Sequence, residues 1–267
     1  MTVIVRDNPL LSIPKQVTNG WWSMTPGDNS SVSKEFEERK KEGYETSDFI
    51  ELVYFMRKLG LSPDYQPREG LLEAKILHYH SLVKSRPVDL SKDKLDTSTS
   101  NTLNTAGRMI AWTFYQMKEH GQPFNLTPND KKAMMDALTI NRGINWGSLI
   151  ADLHHNMAEI GFPQQITEED VKSMKDELDD HRTKKKGEGS GEGIAKMHYF
   201  LTVLGKPQEI TQQDLRAMRK QLDEYRKEGK GSSIAKMEYW LSQIFHHPDT
   251  GVNMQMPPIK KIGGGIG

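Results

Sequence analysis

The sequence predicts an all-α protein made of tandem two-helix repeats of about 36–44 residues, stacked as an array with a non-helical arm at each end. Three registers predict it. Leu126-Thr127-Pro128-Asn129-Asp130, Ile166-Thr167-Glu168-Glu169-Asp170 and Ile210-Thr211-Gln212-Gln213-Asp214 begin 40 and 44 residues apart. Ile-Ala pairs begin at Ile110, Ile150, Ile194 and Ile234, with steps of 40, 44 and 40. Gly121-Gln122-Pro123, Gly161-Phe162-Pro163 and Gly205-Lys206-Pro207 follow the first three pairs at a constant offset. A period near 40 residues that carries two helices marks a helical-hairpin array.

Residues 1–32 read as an N-terminal arm, rich in Pro and Gly and carrying the pair Trp21-Trp22. Residues 33–247 read as the repeat domain, in units of about 33–63, 64–87, 90–123, 126–163, 166–207 and 210–247. In the first unit, Phe49 opens a helix with Tyr54-Phe55 at its middle, stopped by Gly60-Leu61-Ser62-Pro63. The second is truncated; its Leu72-Glu73-Ala74-Lys75-Ile76-Leu77-His78-Tyr79 echoes Ile194-Ala195-Lys196-Met197-His198-Tyr199 of a second helix. Leu90-Ser91 with Leu95 looks like a degenerate first-helix start. From residue 126 the pattern is regular. Thr127, Thr167 and Thr211 stand as N-caps, Asp130, Asp170 and Asp214 answer at N3, and Pro128 takes the favoured first helical position. Val171, Met174 and Leu178 then lie on one helical face.

The second helix of each unit carries aliphatics at positions 0, +3 and +7, as in Ile194, Met197 and Leu201, or Ile234, Met237 and Leu241. Ala at +1 permits close helix approach, and an aromatic at +5 recurs as Tyr115, Tyr199 and Tyr239. At helical spacing these aromatics, with Phe55, Phe114, Phe200 and Trp240, fit an inter-repeat core better than a base-stacking platform. Residues 248–267 are a Pro/Gly-rich tail. The arms, through Trp21, Trp22, Met254, Met256, Ile259 and Ile262, are expected to dock on a partner; a disordered tail or an arm folded back over an end repeat is the alternative.

Composition narrows the function. Lys+Arg and Asp+Glu balance at 36 each, so bulk charge recruits neither nucleic acid nor membrane. The absence of cysteine removes disulfides, thiolate zinc sites and thiol catalysis together. No apolar run approaches the roughly 20 residues of a membrane span, and Met1-Thr2-Val3-Ile4-Val5-Arg6 lacks the layout of a signal peptide. A cytoplasmic location, free or inside a cytoplasmically assembled particle, is the expectation.

No nucleophile, acid–base pair or metal-ligand spacing emerges, so no catalytic residue, cofactor or metal is expected. Adjacent histidines such as His154 and His155 point about 100° apart on a helix and cannot chelate together. The loops between first and second helices are basic and Gly-rich, with Lys184, Lys185, Lys186, Arg226, Lys227 and Lys230 beside Gly187-Glu188-Gly189-Ser190-Gly191 and Gly229-Lys230-Gly231. Free amides at a helix start beside lysines form an anion site, so these loops are the candidate phosphate contacts. The helix macrodipole alone also draws Lys and Arg to helix ends. The leading expectation is therefore a non-enzymatic scaffold or assembly protein of a large assembly such as a virion, binding proteins, copies of itself among them. The alternative is a nucleic-acid-binding protein using the basic loop edge.

Overall fold

The computed structural model describes residues 21–42, 47–68, 70–84, 96–183 and 190–246. These form ten α-helices and no strand among the described residues: α1 (Pro26–Lys41), α2 (Ser47–Lys58), α3 (Leu71–Lys84), α4 (Thr97–Glu119), α5 (Pro128–Gly143), α6 (Gly147–Glu159), α7 (Glu168–Thr183), α8 (Ser190–Val203), α9 (Gln212–Glu228) and α10 (Gly231–His246). The even-numbered helices pack against one another in the order α2, α4, α6, α8, α10 and back to α2. The odd-numbered helices lie outside them; α1, α5, α7 and α9 each bridge two inner neighbours, and α3 packs on α4. The array closes into a ring.

Local chemistry starts the outer helices. Thr127 and Thr211 cap α5 and α9 in full capping boxes with Asp130 and Asp214, and Pro128 sits in the first turn of α5. Thr167 and Asp170 exchange the same two bonds at the head of α7. The aliphatic positions of the inner helices form the core: Ile110, Ile150, Ile194 and Ile234 are fully buried, as are Met197, Leu201, Met237 and Leu241. The inner helices α2, α4, α6 and α8 end where glycine takes positive φ, as at Gly161 (φ 79), and the amide of Phe162 then donates to the Met157 carbonyl at 2.8 Å.

Three sequence-level boundaries change. α1 begins at Pro26, inside the segment read as an arm, because Thr25-Pro26-Gly27-Asp28 is a further copy of the capping register with its own complete box. α3, whose Leu72–Tyr79 stretch echoes an inner helix, takes an outer position: it packs on α4, and His80 reaches Asp130 at the head of α5 (2.6 Å). Only Leu72 and Ile76 of α3 are buried, while Leu77 is 68% exposed. Residues 97–119 are one continuous helix capped by Asp96, so the 90–123 unit has no separate first helix after that point. Leu90, Ser91 and Leu95 lie outside the described residues.

Four glycines set the spacing between inner and outer helices. A Cβ at Gly107 would meet the Ala133 carbonyl of α5, and one at Gly147 the Ser173 carbonyl of α7. At Gly191 it would meet Ala217 of α9, and at Gly231 it would meet Ser31 of α1. The last of these contacts joins α10 to α1. Each glycine stands three residues before an Ile-Ala pair and lets two helices touch backbone to backbone.

Candidate functional site

A belt of charged links ties the outer helices together. Arg142, at the end of α5, donates to both carboxylate oxygens of Asp170 (2.7 and 2.6 Å), and Arg182 does the same to Asp214 (2.9 and 2.8 Å). Arg226 closes the series on Asp28, 198 residues away, and also donates to the Trp21 and Ser23 carbonyls. A histidine from the inner helix joins each of the first two links, His154 at Asp170 (3.0 Å) and His198 at Asp214 (3.3 Å). Burial opposes the Asp170 charge, but Arg142, the Thr167 amide and His154 outweigh it and hold the carboxyl down to about 2. At the closing link Glu238 takes the histidine's register, fully buried against Arg226 (2.9 Å) and Asp28. Burial first, then the neighbouring Asp28 charge, pushes its carboxyl up to about 9.

Of the candidate phosphate residues, Arg226 is drawn into this scaffold. Arg226 is held by Asp28 and Glu238. Two helix-start amides are also taken: Ser148 donates to Glu177 of α7 (2.7 Å), and Ser232 donates to Glu35 of α1 (2.8 Å). Gly191 and Gly231 serve helix contact. Lys230 pairs with Glu228 at the surface (2.7 Å), and Lys227 is exposed. Lys184, Lys185 and Lys186 lie outside the described residues, as do Met254, Met256, Ile259 and Ile262. Trp21 and Trp22 dock on α10 of the same chain: Trp22 is buried and stacks on Phe245 at 4.3 Å, with Trp21 edge-on to the same ring.

The central feature of the ring is a cup on its axis, about 350 Å³, lined by all five inner helices. Its floor is made by the residue at +5 of each: Tyr54, Tyr115, His155, Tyr199 and Tyr239. Their polar ends converge. The Tyr54 and Tyr115 hydroxyls are 2.7 Å apart, while Tyr54–Tyr239, Tyr239–Tyr199 and Tyr199–His155 Nε2 are looser at 3.4 Å. Four hydroxyl protons find acceptors along this path only if they all point one way, from Tyr115 through Tyr54, Tyr239 and Tyr199 to an unprotonated His155 Nε2. Burial raises the Tyr54, Tyr115 and Tyr199 hydroxyls well above their usual range and lowers the His155 ring, so each keeps the neutral form this direction requires.

Above the floor the wall is charged and aromatic. Glu51 meets Lys236 at 3.2 Å, and Arg108 faces Asp152 at 3.8 Å. Glu192, Lys196, Trp112, Phe200 and Trp240 complete the wall, with Asp48 at the mouth. Two buried polar atoms of the wall, Arg108 Nε and Asn156 Oδ1, have no hydrogen-bond partner. Sequence reading placed the +5 and +6 aromatics in the core, where Tyr54, Phe55, Tyr115, Phe200 and Trp240 are indeed buried. It did not find the cup, because the wall positions −2 and +2 follow no shared residue type. The glycine register 107, 147, 191 and 231, stepping by 40, 44 and 40, was the available signal for which helices touch.

Among the described residues no cluster of three His, Asp or Glu side chains is arranged to hold a metal, and no helix is long and apolar enough to cross a membrane. Comparison with family models, with curated proteins and with solved structures returned no match.

Proposed function

We propose that this chain is a non-enzymatic binding protein that holds a small polar ligand in the axial cup. The observation that carries this is where the inner helices agree and where they differ. At 0, +3 and +7 they bury residues of one kind, such as Ile150, Leu153 and Met157 or Ile234, Met237 and Leu241. At +2, facing the cup, they present Glu51, Trp112, Asp152, Lys196 and Lys236. Packing explains the repeated positions and does not call for this variety at the wall. A concave site of this volume, at the small end of ligand pockets, with aromatic walls and a few converging polar groups, is the usual form of a small-molecule site.

A thermal-shift screen of small charged organic molecules tests the reading. Hits should raise the melting temperature of the wild type and lose that effect in Asp152→Leu. Shifts that survive that wall substitution would sink the proposal.

A second reading, a protein scaffold, is favoured by Ile144 (53% exposed) and Trp146 (50% exposed), which flank Asn145 in the loop between α5 and α6. Under it the partner is a protein, copies of this chain included, and Trp146→Ser should abolish its co-purification. The nucleic-acid alternative rests on Lys227, Lys230 and the three lysines at 184–186, and requires binding that falls steeply with salt.

A further inference from the structure

The cup's wall is not uniformly charged, and cancelling its internal ion pairs shows what is left for a ligand. Glu51 with Lys236 and Arg108 with Asp152 neutralise each other across neighbouring helices. The remaining charges are Lys196, Glu192 and Asp48. Lys196 has no ion-pair partner among the described residues; its ammonium rests over the Phe200 ring at 5.7 Å. Glu192 and Lys196 are i and i+4 on α8, the order in which a helix ordinarily lets Glu and Lys pair. Here they do not pair, because the Tyr225 hydroxyl of α9 donates to the Glu192 carboxylate and holds it back.

Depth separates them. Glu192 lies in the first turn of α8 with Asp48 near the start of α2, both toward the mouth, and Lys196 lies one turn deeper, just above the Tyr199 floor. Four residues of helix rise about 6 Å along the axis. The cup therefore holds a fixed negative charge above and a fixed positive charge below, with Trp112, Phe200 and Trp240 forming apolar walls.

We infer that the ligand is a zwitterion with a flat or ring-shaped body, its anionic group down on Lys196 and its cationic amine up at Glu192 and Asp48. This rests on the cup being the ligand site. A lone anion on Lys196 would face the Glu192 and Asp48 carboxylates, and a lone cation at those carboxylates would leave Lys196 without a countercharge. Only a ligand carrying both charges, about 6 Å apart, answers both half-buried groups. Aromatic walls add face contact with a planar body and with the amine itself.

The test is calorimetric titration of the full chain with para-aminomethylbenzoate, using para-methylbenzoate and para-methylbenzylamine as single-charge controls of the same shape. The zwitterion should bind about tenfold or more tightly than either control, a difference of about 1.4 kcal/mol or more. Lys196→Met should erase its advantage over the amine, and Glu192→Gln its advantage over the benzoate, with circular dichroism verifying that both variants stay folded. If either control binds the wild type as tightly as the zwitterion, the charge assignment is wrong and the cup remains the ligand site. If none of the three gives heat at millimolar concentration on folded wild type, the cup reading falls as well.

Discussion

At the scale of single residues, the closing link differs from its siblings by one substitution of chemistry. His154 and His198 meet their aspartates with a ring nitrogen, whereas Glu238 must be protonated to sit beside Asp28 without repulsion. Its folded value of about 9 lies above the ordinary 4.5, so the fold favours the neutral acid. The associated stability is complete below about pH 4.5 and is lost progressively as pH rises toward about 9. Glu238→Gln keeps the shape and a donor and removes the titration. Its melting temperature should exceed that of the wild type increasingly from about pH 5 to about pH 9, and the two should converge at the acid end. Parallel curves across that range would contradict the assignment. None of this was legible beforehand, because a glutamate in a helix is ordinarily solvated and only ring closure buries this one. The capping threonines and aspartates were legible, since a cap is completed within four residues of itself.

Between helices, the glycines decide how close two elements come. Gly147→Ala would place a methyl 2.3 Å from the Ser173 carbonyl, so α6 and α7 must part. The expected cost is about 1–3 kcal/mol by denaturant unfolding. Gly143, the last residue of α5, has nothing within 4 Å of its Cβ position and does not have positive φ. There alanine should be neutral or stabilising by up to about 1 kcal/mol. Equal behaviour of the two variants would refute the contact role. Periodicity showed that paired helices exist, yet it did not show which glycines were loop and which were interface, because Gly191 and Gly231 stand among Lys, Ser and Gly that read locally as a linker. It likewise read α3 as an inner helix, since His78-Tyr79 copies the inner pattern while the burial that separates inner from outer is a tertiary property.

For the whole molecule, the ring depends on a seam made by residues far apart in the chain: Trp22 on Phe245, Arg226 on Asp28, and Gly231 against Ser31. Trp22→Ala should cost about 3–5 kcal/mol. Native-state hydrogen exchange should show α1 and α10 losing protection before α5 to α8. Unchanged protection in α1 and α10 would mean that the seam does not hold the ring shut. The same seam has a consequence for synthesis. At 5–20 residues per second, the 198 residues from Asp28 to Arg226 take about 10–40 s to emerge from a ribosome. For that interval the faces of Val32 and Trp22 that α10 will cover are open to water. Any finished copy nearby whose own α10 is briefly free competes for them. Whether a nascent chain becomes a ring or a link in a string of exchanged tails then depends on a race between its own tail, tethered at high effective concentration, and its neighbours.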